Sequence, residues 1–205
     1  LSDINATGTA YGLTLTTTSG QTTVGRIGAT APLASITSSS GGSITLSGAG
    51  VTTTGSQTYN NAVVLSADNT LATTNSAITF ASTVNSADAT ARALSINVGT
   101  SNITFTGVVG GSRGLGNISL TSTGITTFSA SVASANLTQN SATGTTAING
   151  GSITTTNSQT FGNAVTLGAS TTLTTTNSNI AFSSTLNSTT QARALTLSAG
   201  SGAVS

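Results

Sequence analysis

The chain contains a long internal repeat, which restricts its possible folds more than any other feature. The segment VTTTGSQTYNNAVVLSADNTLATTNSAITFASTVNS begins at Val51 and returns from Ile153 as ITTTNSQTFGNAVTLGASTTLTTTNSNIAFSSTLNS. The offset in numbering is 153 − 51 = 102; one position is then lost, and ARALSIN at 91–97 matches ARALTLS at 192–198. Residues 51–98 thus correspond to 153–199. Such self-similarity is typical of solenoids and other repeat folds.

Comparison of the two copies predicts which positions are packed inside. The apolar exchanges between them are Val51 to Ile153, Tyr59 to Phe161, Val84 to Leu186 and Ile96 to Leu197. Replacement of one apolar group by another is what a packed interior tolerates best. The exchange of Tyr59 for Phe161 further predicts that the phenol hydroxyl is dispensable.

A second match predicts the length of one structural unit. LASI at 33–36 matches LGNI at 115–118, so the offset in numbering here is 115 − 33 = 82. The later copy is therefore longer by 102 − 82 = 20 positions, which come from 129–150. A repeat array accepts an insertion cleanly when the insertion is a whole unit. We therefore expect units of about 20 residues, with about five coils in the repeat and about nine in the chain.

Short segments of alternating polar and apolar residues predict β-strands throughout. The clearest are 62–65, 78–80, 94–98, 103–105, 118–120, 125–128, 180–182 and 195–197. No segment has a helical apolar stripe. The sequence predicts an all-β fold, a parallel β-helix (β-solenoid) of about 20–22 residues per rung that forms one segment over 1–205. A β-sandwich of antiparallel hairpins is the competing fold. The side chains expected to point inward are Val51, Tyr59, Val63, Leu65, Leu71, Ile78, Phe80, Val165, Leu167, Leu173, Ile180 and Phe182.

The composition excludes several classes of partner. Only 3% of the residues are charged and the net charge is +1, so no basic patch is available for nucleic acid or an anionic membrane. No apolar run reaches the roughly 18 residues of a membrane-spanning helix. The absence of Cys is compatible with an exported protein. The chain begins at Leu1 without Met and stops within its second copy, so we expect a piece of a longer chain or fibre.

The sequence predicts no catalytic, cofactor-binding or metal-binding residues. His, Cys, Lys and Glu are absent, so neither a nucleophile with its base nor a zinc set can be assembled. Asp68 and Asp88 lie at turns, and Ser170 and Thr190 stand at the matching places of the second copy. Both carboxylates are therefore expected to be solvated turn residues, and the chain is not expected to be an enzyme.

Three other patterns suggest structural roles. GVVGGSRGLG at 107–116 lacks the Lys-Ser/Thr ending of a phosphate loop and is expected to be a turn. N-x-S/T triplets begin at Asn5, Asn102, Asn117, Asn136 and Asn187, which are either glycosylation acceptors or turn asparagines that stack from rung to rung. Arg92 and Arg193 recur at matching places. They are expected on a solvated face that opposes sideways aggregation, with a ligand contact as the alternative.

Threonine runs suggest a second function. They occur at 16–18, 52–54, 154–156 and 174–176. Ladders of Thr on a coil resemble the ice-binding faces of some antifreeze β-solenoids, which need Thr-x-Thr on nearly every rung. Strands such as ITF place a single Thr outward, so the match is partial.

The repeat sequence GSITTTNSQTFGNAVTLGASTTLTTTNSNIAFSSTLNS resembles the repeats of filamentous-haemagglutinin-like adhesins and related autotransporter passengers of bacteria. The resemblance covers roughly residues 33–198. It implies a right-handed parallel β-helix, export to the cell surface and a role as adhesin shaft or matrix fibre, with no catalytic residue carried over.

Together these observations predict a structural extracellular filament or adhesin-shaft segment located outside the cell or on its surface. Its expected partners are copies of itself end to end or a continuation of the same chain, with surface glycans as a further candidate. The alternative is an ice-binding or glycan-binding β-solenoid that uses outward Thr and Asn ladders.

Overall fold

The computed structural model describes residues 2–39 and 41–205, which form 23 short β-strands and no helix. The first twelve strands are β1 (Gly12–Leu15), β2 (Gln21–Val24), β3 (Ser35–Ser38), β4 (Ser43–Leu46), β5 (Gly50–Thr53), β6 (Gln57–Tyr59), β7 (Ala62–Leu65), β8 (Asn69–Thr73), β9 (Ile78–Phe80), β10 (Val84–Ser86), β11 (Leu94–Asn97) and β12 (Ile103–Phe105). The remaining strands are β13 (Leu115–Thr121), β14 (Ile125–Phe128), β15 (Val132–Gln139), β16 (Thr145–Ile148), β17 (Ser152–Thr155), β18 (Gln159–Phe161), β19 (Ala164–Leu167), β20 (Thr171–Thr175), β21 (Ile180–Phe182), β22 (Leu186–Ser188) and β23 (Leu195–Ser198).

The strands stack on three faces, which the chain visits in a fixed order. Face 1 is a nine-stranded sheet of β1, β3, β6, β9, β12, β14, β16, β19 and β22. Face 2 holds β2, β4, β7 and β10, continues through single bridges of Val109, and ends with the first half of β15 and then β17, β20 and β23. Face 3 holds β5, β8, β11, β13, the second half of β15, β18 and β21. One pass over the three faces is a rung.

Every strand pair described is parallel, which confirms the solenoid and excludes the sandwich of antiparallel hairpins. Register partners on face 1 show how long each rung is. Thr145 pairs with Ala164, a rung shorter than expected, whereas Ile78 pairs with Ile103, the longest rung of this face. The expected length of about 20–22 residues per rung is therefore the centre of a wider range, because corner loops differ in length while strands stay in register.

The sequence repeat is out of phase with the rungs. β5 lies on face 3, whereas β17, which repeats its sequence, lies on face 2. Likewise β6 belongs to face 1 and its copy β18 to face 3. The repeat covers four rungs plus two further faces, which agrees with the expected number of about five coils but is not a whole number of rungs. The reason is that a short alternating strand fits any face, and its sequence does not specify which one.

The segment that is extra in the second copy is one rung long, as expected. Phe128 pairs with Ile148 in the next rung, and Val132 pairs with Ile153. The inserted residues supply β15 and β16, and they return the chain from β14 on face 1 to β16 on the same face, one rung further on. Neighbouring rungs therefore keep their pairing.

The interior is filled by the residues that were expected to point inward. All twelve are buried except Phe182, which lies in the last strand of face 3 and is half-buried against the core. Tyr59, Phe80, Phe105 and Phe128 form one column on face 1 with ring centroids 5.0–5.2 Å apart. Offset aromatic contacts at such spacing stabilise a packed interior. The matching column of the second copy, Phe161 on Phe182, runs along face 3.

A polar cluster interrupts the apolar interior beyond Phe128. Gln139 donates a hydrogen bond of 2.9 Å from Nε2 to Thr126 Oγ1, and Thr146 donates one of 2.8 Å to Asn163 Oδ1. Gln139 Oε1 and Asn163 Nδ2 are buried without a partner among the described residues. An unpaired buried polar atom is costly, so this cluster lowers the stability of the interior locally.

Candidate functional site

The carboxylate of Asp68 holds a corner loop in place. Its Oδ1 accepts a hydrogen bond of 2.8 Å from the Ala93 main-chain N–H. In the second copy, Ser170 Oγ accepts the corresponding bond of 3.3 Å from Ala194. A hydroxyl thus performs the same task as the carboxylate. The role of Asp68 is structural, as the turn assignment predicts.

Asp88 is an exposed carboxylate beside an arginine. It accepts a hydrogen bond of 2.8 Å from the Thr90 main-chain N–H and forms an ion pair of 3.4 Å with Arg92. The bond from Thr90 is the main reason why the pKa of Asp88 lies below its usual range, with the charge of Arg92 adding to it. The carboxylate is therefore ionised at neutral pH and is poorly suited to general acid catalysis.

Asp3 forms the second ion pair of the described residues. Arg26 donates to Asp3 Oδ2 from Nε at 3.0 Å and from Nη2 at 2.7 Å. These bonds lower the pKa of Asp3. Both partners are exposed, so the pair fixes the first rung to the second without forming a pocket.

Arg92 and Arg193 lie in equivalent loops that project from different corners. The main-chain N–H of Arg92 donates to Ser86 Oγ at 3.0 Å, and that of Arg193 donates to Ser188 Oγ at 3.1 Å. The first loop joins faces 2 and 3, whereas the second joins faces 1 and 2. Both arginines were expected on a solvated face, but each is half-buried, and they lie at different corners.

No group of three or more metal-ligating carboxylates, His or Cys occurs among residues 2–39 and 41–205. Residues 107–114 of the glycine-rich stretch form an irregular corner with one bridge at Val109, and 115–116 begin strand β13 rather than a helix. Asn85 Oδ1 accepts hydrogen bonds from Ser112 N at 3.0 Å and from Arg113 N at 3.3 Å. The expected turn is thus confirmed for 107–114, whereas the last two residues of the stretch lie in a strand.

The turn asparagines connect successive rungs, mostly by accepting hydrogen bonds from main-chain N–H groups. Only Asn136 and Asn117, among the five triplet asparagines, bond to each other, from Nδ2 to Oδ1 at 2.7 Å, in the part of the chain that the structure describes. Asn75 and Asn177 adopt positive φ and accept bonds of 3.0 Å from Thr100 N and Ser201 N in the next rung. The expected stack of asparagines is thus a single pair, because a side-chain oxygen more often caps the next turn.

Face 1 carries an outward column of threonines. In register along the sheet, this column contains Thr14, Thr37, Thr58, Thr79, Thr104, Thr127, Ala147, Thr166 and Asn187. We call these residues the threonine ladder. The triplets Ile-Thr-Phe at 78–80 and 103–105 were the sequence signal for it, but rungs of unequal length hid the column. The neighbouring outward positions include Gly12, Ser35, Ile125 and Ala164, so the ladder is one threonine wide.

A surface groove of about 410 Å³ lies at the corner between faces 2 and 3. Its rim on one side comes from the loops 87–93 and 110–114, which follow β10 and Val109. Its floor comes from β15, which crosses the corner as one continuous strand, and from the short turns below it. The lining residues are Asp88, Ala89, Ala91, Ser112, Arg113, Gly114, Leu115, Ala133, Ser134, Ala135, Thr154, Thr155, Thr156 and Thr176. Sequence reasoning did not find this groove, since it depends on which corners are adjacent.

The described part of the chain contains no helix of the length and apolarity that crossing a membrane requires. In comparisons with known proteins, no family model, no curated protein and no solved structure matches the chain.

Proposed function

We propose that this chain is a structural segment of an extracellular filament or adhesin shaft. The observation that carries the proposal is the unbroken pairing of nine parallel strands along face 1. Hydrogen bonds between rungs run parallel to the axis, so a pull along the axis loads many of them together. Stacked rungs also have no free sheet edge along their sides.

The surface supports a passive role. With 3% charged residues and no Lys, Glu, His or Cys, the proposal includes no catalytic step, cofactor or metal. It also includes no nucleic acid partner and no insertion into a membrane. The partners we propose are copies of the chain end to end or a longer continuation of it, with surface glycans as weak ligands. The resemblance to bacterial adhesin repeats favours a location outside the cell or on its surface.

Ice binding is the second candidate, and the threonine ladder is the observation that favours it. An ice-binding face needs two threonine columns to match a lattice, whereas the second column here contains Gly12, Ser35, Ile125 and Ala164. Ile125 is 47% exposed and interrupts the polar surface. We therefore prefer the filament.

Electron microscopy of the native material tests the proposal. Long thin fibres or surface projections are the expected result, and isolated short particles would overturn it. Thermal hysteresis of the purified chain tests the alternative: growth of ice crystals should be unaffected. Faceted crystals that depend on Thr79 and Thr104 would instead support ice binding.

A further inference from the structure

The groove between faces 2 and 3 has the form of a binding site. Its lining spans five successive rungs, from Asp88 at one end to Thr176 at the other. Rungs about 4.8 Å apart give a length of about 19 Å along the axis. Its volume of about 410 Å³ is within the range of small-ligand pockets. Its shape fits a short linear molecule that lies parallel to the axis.

The groove offers hydroxyl groups that are free to bind. Thr154, Thr156 and Thr176 are exposed, and their hydroxyls form no hydrogen bond with another described residue. The methyl groups of Ala133 and Ala135 line the adjacent rung, between the loop of Arg113 and these threonines. A surface that combines methyl groups with hydroxyl groups in neighbouring rungs matches the mixed polar and apolar faces of a sugar ring.

The charges of the groove select among ligands. Asp88 is engaged by Arg92 and by the Thr90 N–H. Arg113, in contrast, forms no ion pair with any residue in 2–39 or 41–205, and its main chain is fixed by Asn85. An unpaired guanidinium can bind a carboxylate with two parallel hydrogen bonds. The ligand should therefore carry a carboxylate beside its hydroxyl groups.

The pairing of β15 argues against a peptide. One edge of β15 pairs with β13, and its other edge pairs with β17 and β18. No free strand edge therefore lies on the floor of the groove, and a peptide cannot add to the sheet by main-chain hydrogen bonds. A single unpaired arginine is also too little charge to hold a nucleic acid.

We propose that this groove binds a short acidic oligosaccharide whose carboxylate pairs with Arg113 and whose hydroxyls contact Thr154, Thr156 and Thr176. The site lacks an aromatic platform, so binding is weak at one groove and gains from repetition along a fibre. The proposal does not depend on the filament: a chain that forms no fibres could still bind at this groove.

Titration of the full ¹⁵N-labelled chain with tetragalacturonate, followed by NMR, tests the site. The expected result is a saturable shift of the amide signals of Ser112, Arg113, Thr154 and Thr156. Arg113→Gln should weaken binding about tenfold or more, the usual effect of losing a hydrogen bond to a charged group. The methyl-esterified tetrasaccharide lacks the carboxylate charge. It should bind the unmodified chain as weakly as tetragalacturonate binds the Arg113→Gln variant.

Matched variants separate the site from general surface charge. Arg193→Gln removes the same charge from a loop outside the groove and should leave affinity unchanged. Thr154→Val should weaken binding, whereas Thr166→Val on the threonine ladder should not. Equal effects of the two arginine variants, the absence of amide shifts, or equally tight binding of a tetraglutamate peptide would each overturn the proposal.

Discussion

Tyr59 Oη donates a hydrogen bond of 3.0 Å to Gln57 Oε1 inside the solenoid. In the second copy, Phe161 replaces the tyrosine and the matching Gln159 Oε1 is buried without a partner among the described residues. The amide nitrogens of the two glutamines make equivalent bonds, including those to Val51 O at 3.2 Å and Ile153 O at 3.1 Å. The phenol hydroxyl is therefore used, contrary to the sequence-based expectation that it is dispensable.

This difference predicts opposite effects of two substitutions. Tyr59→Phe should destabilise the protein by about 1–3 kcal/mol, because it leaves a buried acceptor unpaired. Phe161→Tyr should stabilise it by about 0.5–1.5 kcal/mol, because it supplies the missing donor. Denaturant unfolding of both variants measures the effects. A loss of stability in Phe161→Tyr would mean that the hydroxyl does not fit beside Gln159.

Burial raises the pKa of Tyr59 far above its usual range. The folded state then holds the phenol proton more tightly than the unfolded state does. Stability from this group should be complete below the usual tyrosine pKa of about 10 and should fall as pH rises above it, by at most about 1.4 kcal/mol per pH unit. Unfolding free energies across this range should show the slope, and Tyr59→Phe should abolish it. In a Tyr11→Phe background, phenolate absorbance that appears before unfolding would contradict the prediction.

The two ion-paired carboxylates should respond differently to loss of their arginines. Arg26→Gln should raise the pKa of Asp3 towards its ordinary value, because the side chain of Arg26 is the main cause of the lowering. Arg92→Gln should raise the pKa of Asp88 less, because the main cause there is the Thr90 N–H. Carboxyl ¹³C titration measures both. In the unmodified protein, stability from these groups is present above the usual aspartate pKa of about 3.9 and is lost as pH falls through the lower folded values. Equal rises in the two variants would refute the assigned causes.

The structural role of Asp68 predicts which replacement is tolerated. Asp68→Ser should change stability by less than about 0.5 kcal/mol, since Ser170 forms the matching bond in the second copy. Asp68→Ala removes the acceptor of the Ala93 N–H and should cost about 0.5–1.5 kcal/mol. Thermal or denaturant unfolding compares the two variants. If serine is as damaging as alanine, the charge of Asp68 matters and the assignment is wrong.

Removal of a whole rung should leave the fold intact. Deletion of 129–148 joins Phe128 to Asn149, and because Phe128 and Ile148 are register partners, the chain re-enters the next rung in place. Circular dichroism should show a β-rich spectrum and unfolding should stay cooperative. Deletion of 139–148 removes about half a rung and serves as the control: it should bring the wrong segments onto each face and lower stability strongly. Similar behaviour of the two variants would contradict a rung-by-rung architecture.

The sequence determined the local structure of this protein. Alternation of apolar and polar residues identified strands such as Ala62–Leu65, Ile78–Phe80 and Ile125–Phe128 with correct bounds. It also identified the inward side, because an alternating strand can bury only one set of side chains. The insertion indicated the length of a rung, since stacked units keep their neighbours only when whole units are added.

Only the tertiary structure decided how those elements align. Strands of similar pattern fit all three faces, so the sequence does not reveal that β5 and β17 lie on different ones. The unequal lengths of the rungs likewise hide the column that joins Thr79 and Thr104 to the rest of the threonine ladder. The groove at Arg113 exists because two long corner loops lie next to β15, which has none. Contacts between residues about one rung apart depend on the lengths of every intervening loop, and these become fixed only when the rungs stack.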